Sequence, residues 1–300
     1  MKSIAALKKQ VLQEEKQTVS LANAADKEVL LAVRTAIAED LCRFILIGDE
    51  NDIMQMSDQV GLNLDSPLLS IQHETVDPSL AAVKAIHDKR AQILMKGNVA
   101  TKSLLSAVLN KEFGLRTGNI LSHVALFEIP NQDRLIFLTD AAMNIEPSRK
   151  EKVEILSNAV RVAHGIGMEL PRVAPIAPVE VVNEAMPSTV DAAILSKMQQ
   201  RGQIKGCVVD GPLAFDNAVS PEAAQQKGIT SDVAGRADVL LVPTIDVGNA
   251  LYKSFIYFAD AKVAAIISGA KAPIVLTSRA DSAESKLYSL SLALVSSKTF

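Results

Sequence analysis

The 300-residue chain has no tryptophan, 4% aromatic residues and two cysteines. So few rings offer little surface on which single-stranded bases could stack, which argues against a single-strand binder. Cys42 and Cys207 lie far apart in sequence, each beside an apolar run. That pattern excludes a disulfide framework and suits buried thiols in a reducing compartment. They form no CxxC pair, so a redox or zinc centre is not expected. Positive charge is not in excess either: 31 basic against 34 acidic residues leave a net charge of −3. No global field therefore draws a phosphate polymer or an anionic membrane, and neither nucleic acid nor membrane is expected as a partner. No stretch reaches 18 uninterrupted apolar residues, and Lys8 and Lys9 interrupt the N-terminal run before an apolar core forms. The expectation is a cytoplasmic protein without a membrane span.

What is present is 48% hydrophobic and 22% charged residues, an ordinary globular composition long enough to bury a large core. Short β-branched runs alternate with segments of helical period, which predicts an α/β fold of mostly parallel strands flanked by helices. Strands are expected at 18–22, 44–47, 68–72, 92–95, 122–129, 135–139, 173–176, 206–209, 239–242, 264–267 and 274–276. Helices are expected at 26–40, 78–90, 101–112, 148–164, 189–200 and 247–259, with a last one from about Asp281. One junction breaks the alternation. Pro130-Asn-Gln-Asp-Arg134 is rich in turn formers and too short for a helical crossover, so the strands on either side should be antiparallel. A change of sheet there suggests two domains, residues 1–118 with 270–300 and residues 119–269.

In such a fold, strand ends feed loops into helix N-termini, whose backbone N–H groups attract anions. Four loops qualify. In the first, Ile274-Val-Leu-Thr277-Ser278-Arg279-Ala-Asp281 leads into a helical stripe. A guanidinium beside hydroxyls suits phosphate, whereas Asp281 with Glu284 also reads as a capping pair. In the second, Gly248 lets a ligand approach the backbone, and Asn249, Tyr252 and Lys253 share a helical face opposite Leu251, Phe255 and Phe258. The third, Asp210-Gly-Pro-Leu-Ala-Phe-Asp216-Asn217, carries two carboxylates but no third ligand, so turn formation explains it better than metal binding. The fourth, Lys96-Gly97-Asn98-Val-Ala-Thr101-Lys102, lacks a full phosphate-loop signature, yet Thr101 and Lys102 suit phosphate contact. The four histidines show neither ligand spacing nor an adjacent nucleophile, and are expected to be structural or at the surface.

The segments VDGPLAFDNAVS, VAGRADVLLVPTIDVGNALYKSF and ISGAKAPIVLTSRADSAESKLYSLSLAL resemble, in order and spacing, the phosphate acetyltransferase and phosphate butyryltransferase family. LMKGNVATKSLL and LTDAAMNIEP are similar to family segments as well, and SRADSAESKLYS is closer to the butyryltransferase branch. The resemblance implies a two-domain fold like that of isocitrate and isopropylmalate dehydrogenases, with the site in an interdomain cleft. It implies reversible acyl transfer between coenzyme A and inorganic phosphate, with coenzyme A as substrate, no cofactor, no metal and no covalent acyl-enzyme. It also implies at least a homodimer.

Carried over residue by residue, Arg279 holds phosphate and Ser278 hydrogen-bonds the reacting centre. Thr277, Thr101, Lys102, Asn249, Tyr252 and Lys253 are expected to bind substrate. Where acetyltransferase members carry a carboxylate seven residues after the serine, this chain has Ser285, so Asp281 or Glu284 must serve as base, with Asp281 preferred. The family's arginine after the Gly97 loop is replaced by Leu104 and Leu105, leaving Lys96, Lys102 or Arg116 to supply that charge. Alternatives are acetyl-CoA as substrate, or a metal-dependent hydroxyacid dehydrogenase of the same fold.

Overall fold

The computed structural model describes residues 3–130, 132–276 and 282–300. Apart from a few terminal residues, the chain divides into two compact units, one of Ile4–Asn119 with Ala264–Lys298 and one of Ile120–Val263.

The first unit is built on α1 (Ala5–Val11), β1 (Thr18–Ala22), α2 (Lys27–Ala38), β2 (Arg43–Gly48), α3 (Glu50–Val60), β3 (Leu69–His73), α4 (Pro78–His87), β4 (Ile93–Lys96) and α5 (Thr101–Val108). The second contributes β5 (Ser122–Glu128), β6 (Ile136–Thr139), α6 (Arg149–Gly165), β7 (Arg172–Pro175), α7 (Pro187–Gln200) and β8 (Val208–Val209). It continues through α8 (Phe215–Val219), α9 (Pro221–Gln226), β9 (Val239–Leu241) and α10 (Ile245–Ala259). The chain then returns to the first unit through β10 (Lys262–Ser268), β11 (Ile274–Val275) and α11 (Ala283–Ser296).

In the first unit the strands lie in the order β3-β2-β1-β4-β11-β10. All are parallel except β10, which runs against β11. Strands β2 and β4 read as near-continuous apolar, buried runs, whereas the edge strand β3 has no buried residue. In β2 every residue after Arg43 is buried. Helices α1 and α2 pack on α11, whereas α4 packs on β1 and α5. The direction of strand addition reverses between β1 and β4, the kind of switch point where neighbouring loops part and ligands bind in open α/β sheets.

The second unit has the order β5-β6-β9-β7-β8. As the Pro130–Arg134 turn requires, β5 and β6 are antiparallel, with Leu126 opposite Phe137, and the remaining neighbours are parallel. Arg172 anchors this sheet: its guanidinium donates to Asp238 Oδ2 at 2.9 Å and Oδ1 at 3.2 Å, and its own N–H adds a third bond to that carboxylate. No helix among the described residues is long and apolar enough to cross a membrane.

Candidate active site

Because β1, β2, β3, β4 and β11 are parallel and in register, their C-terminal ends share one edge, and α2, α3, α4, α5 and α11 begin along it. The first three helices close their own N-termini. Asp26 accepts from Val29 N–H at 3.0 Å, Asp49 from Asp52 N–H at 3.1 Å and Asp77 from Leu80 N–H at 2.9 Å. Each carboxylate meets an N–H without an intrahelical acceptor and lies at the positive end of the helix dipole. Helix α5 differs. It follows Ala100, which has no capping side chain, and Thr101, Lys102 and Ser103 of its first turn are all exposed. That end offers backbone donors, a hydroxyl and an ammonium together.

The loop before α5 is fixed by its neighbour across the switch point. Asn23 has the left-handed φ of 54° that asparagine tolerates better than most residues. Its Nδ2 donates to Asn98 O at 2.8 Å, and Asn98 N–H donates back to Asn23 O at 2.7 Å. Gly97 lies so close that a Cβ there would sit 2.2 Å from Asn23 O, so no larger residue fits without moving the loop. Lys96 is 7% exposed, and its Nζ donates to Gly97 O at 3.3 Å. Lys96 and Lys102 are thus on the loop edge. Arg116 is not: it bridges to Ala270 past the end of β10, at the opposite edge.

Val275 lies beside Met95, so β11 ends on the same edge as β4. The candidates Thr277, Ser278, Arg279 and Asp281 lie outside the described residues. Beyond them, Ser282 rather than Asp281 caps α11, accepting from Ser285 N–H at 3.2 Å. The expected capping pair of Asp281 with Glu284 is therefore replaced by a serine cap. Glu284, exposed in the first turn, accepts a 2.5 Å hydrogen bond from Tyr288 Oη. Ser285 Oγ accepts from Ser282 Oγ at 3.2 Å.

In the second unit, Gly248 brings α10 against the segment after β6; a Cβ there would lie 2.5 Å from Asp140 O. Asp140 is 2% exposed and accepts from Ala142 N–H, Met143 N–H and Asn144 Nδ2, which folds that segment into a turn. Asn249 Nδ2 reaches Ala141 O at 3.5 Å on the wall of an open depression of about 400 Å³. Lys253 is exposed. Tyr252 does not share that exposure: its ring stacks edge-on against Phe127 and His123, with centroids at 5.3 and 5.7 Å. Phe258, on the face opposite Asn249 and Lys253, is 90% exposed, so the apolar side of α10 is only partly covered.

The third loop shapes itself, with Asp216 Oδ1 accepting from Asn217 N–H at 2.9 Å. The histidines also serve local structure: His73 Nδ1 accepts from Glu50 N–H, and His164 meets Gly206 O at 2.7 Å. Burial pushes both thiols up, Cys207 to about 11 and Cys42 further, so neither is a nucleophile at neutral pH.

Donors at α5 and the Glu284 carboxylate at α11, with no acidic cap at either start, suit a phosphate-bearing substrate and proton transfer. The sequence pattern of the phosphate acetyl/butaryl transferase family matches residues 66–294. The chain belongs to this family. A "Probable phosphate butyryltransferase" of Bacillus subtilis is 54% identical over 286 residues, 95% of this chain and 94% of that protein. A phosphate butyryltransferase of Clostridium acetobutylicum is 50% identical over 283 residues, covering 94% of each. Among solved structures, a branched-chain phosphotransacylase from Enterococcus faecalis superposes with a TM-score of 0.82 at 39% identity, over 94% of this chain and 99% of that one. A provisionally assigned 4-hydroxythreonine-4-phosphate dehydrogenase from Salmonella typhimurium shares the fold alone, with a TM-score of 0.57 at 12% identity over 94% of this chain and all of that one. Family membership decides for a transferase over the dehydrogenase alternative of similar architecture.

Asn23, Ser282 and Tyr288 escaped sequence reasoning. An asparagine directly after a strand was a usable signal for the first, and a serine three residues before Ser285 for the second.

Proposed function

We propose that the chain is a phosphate butyryltransferase, moving a short acyl group reversibly between coenzyme A and inorganic phosphate: butyryl-CoA + phosphate = butyryl phosphate + CoA. The observation that carries this reading is the 50% identity to a phosphate butyryltransferase along nearly the whole of both chains. The uncapped start of α5 supports it, since it supplies donors for the phosphate end of the substrate.

Arg279 holds the phosphate, with Thr277, Thr101, Lys102 and the α5 N–H groups adding donors. Ser278 hydrogen-bonds the reacting carbonyl. Asn249 and Lys253 contact substrate from α10, with Tyr252 packed behind them. In the acyl-phosphate direction, a thiol with pKa near ~8.5 gives its proton to a carboxylate, Asp281 or Glu284. The thiolate then attacks the acyl carbon, the bond to the phosphate oxygen breaks, and Arg279 shares the charge of the departing phosphate. In reverse, phosphate attacks the thioester. Holding both substrates together supplies the proximity contribution to the rate. Coenzyme A is substrate here, and the scheme uses no cofactor or metal.

The reading includes a homodimer or larger homo-oligomer, supported by the exposure of Tyr257 (77%) and Phe258 (90%) on α10. It also includes a cytoplasmic location, supported by free, buried Cys42 and Cys207.

The test is release of coenzyme A from acetyl, propionyl, butyryl, isobutyryl and valeryl thioesters with and without phosphate. Phosphate-dependent release with the highest kcat/KM for butyryl-CoA is expected. A maximum at acetyl-CoA would move the chain to the acetyltransferase alternative, and no phosphate-dependent release from any thioester would overturn the reading. The series is needed because one methylene changes selectivity by only ~1–3 kcal/mol.

A further inference from the structure

We propose that Tyr288 is a positioning residue that holds Glu284 to receive the proton of the coenzyme A thiol. This rests on the acyltransferase reading and names the proton acceptor that Ser285 cannot provide.

Three observations converge. First, α11 does not use Glu284 to cap itself: Ser282 Oγ takes Ser285 N–H at 3.2 Å, and Glu284 is the second helical residue rather than the third, where a capping-box carboxylate belongs. Second, Ser285 Oγ is already engaged with Ser282 Oγ at 3.2 Å, and a hydroxyl at that place has no basicity near neutral pH. Third, Tyr288 sits one helical turn after Glu284 with its side chain 8% exposed, and its Oη donates to Glu284 Oε1 at 2.5 Å. That length is characteristic of a charge-assisted O–H···O⁻ bond. The buried ring cannot swing away, so it removes much of the rotamer freedom a first-turn glutamate would otherwise keep, and it leaves Oε2 to take a proton.

The chemistry balances. The thiol S–H proton moves to Glu284, and the sulfur electron pair forms the bond to the acyl carbon. The bond from that carbon to the phosphate oxygen breaks, and the proton passes from Glu284 to the departing phosphate. Glu284 ends as a carboxylate, ready for another turnover.

The test is Tyr288→Phe, which removes only the hydroxyl, compared with Glu284→Gln and the double variant by steady-state kinetics in the acyl-phosphate direction. Tyr288→Phe should lower kcat about tenfold while KM for butyryl phosphate and coenzyme A stays within about twofold. Glu284→Gln should lower kcat further, and adding Tyr288→Phe to it should change nothing more. Wild-type kcat in either single variant overturns the proposal, as does a Tyr288→Phe loss that persists undiminished in the Glu284→Gln background. Should Tyr288→Phe fold poorly in a thermal melt, Glu284→Gln, a change at an exposed side chain, still decides whether Glu284 takes the proton. A wild-type enzyme without phosphate-dependent turnover would instead remove the underlying acyltransferase reading.

Discussion

Along one strand edge of the first unit, α2, α3 and α4 start under Asp26, Asp49 and Asp77, whereas α5 starts under Ala100 and α11 under Ser282. All five helices leave parallel strands of the same sheet, and all point their positive ends to the same edge. They differ in what fills those ends. An aspartate cap satisfies the helix and repels any further anion; Ala100 adds no negative charge at the start of α5, and Ser282 caps α11 with a neutral hydroxyl. The aspartate-capped helices are finished as structure, and the pair without an acidic cap follows the two adjacent strands, β4 and β11, with Lys96, Thr101 and Lys102 after the first and, in sequence, Ser278 and Arg279 after the second.

The largest expected effect lies on the open side of this contrast. Arg279→Ala should lower turnover in phosphorolysis of butyryl-CoA at least tenfold, toward the ~10²–10³ typical of losing one transition-state donor, while the thermal melt stays near wild type. Near-wild-type turnover would remove Arg279 from the site. A smaller effect of a different kind is expected on the closed side. Asp77→Ala should destabilise the fold by about 1 kcal/mol in urea titration, with KM for phosphate unchanged. A change in that KM would mean the capped helices also take part in binding, and the contrast would lose its meaning.

Much of the fold was legible in the sequence because it depends on local pattern. The β-branched run at Thr18–Ala22 forms β1 with those bounds, and the Pro130–Arg134 turn makes β5 and β6 antiparallel. Four helices escaped, the short α8 and α9 as well as α1 and α3. In α3 only Ile53, Ser57 and Val60 are buried, and in α1 only Leu7 and Val11, so neither shows a broad apolar stripe. Met54, on α3, is 48% exposed. On α10, helical period groups Phe255 with Phe258 but does not reveal that Phe255 packs on Phe127 while Phe258 stays exposed.

The site was legible only as types of residue at strand ends. Which helices lack an acidic cap follows from where each begins, and a shift of one residue, from Asp281 to Ser282, makes the cap of α11 a hydroxyl instead of a carboxylate. The clamp between Asn23 and Asn98 joins residues 75 positions apart, a relation no local pattern contains. The pair of Glu284 and Tyr288 has helical spacing, but tyrosine at that place reads first as core.

The contrast between open and closed helix starts is tested most directly by converting one into the other. Ala100→Asp gives α5 the cap that α2, α3 and α4 possess, without touching Arg279, Glu284 or α10. In steady-state phosphorolysis of butyryl-CoA, KM for phosphate should rise about tenfold, KM for butyryl-CoA should hold, and the melting temperature should stay level or increase. An unchanged KM for phosphate in a folded Ala100→Asp enzyme would contradict the account, since an anion bound at that helix start could not ignore a carboxylate placed among its donors.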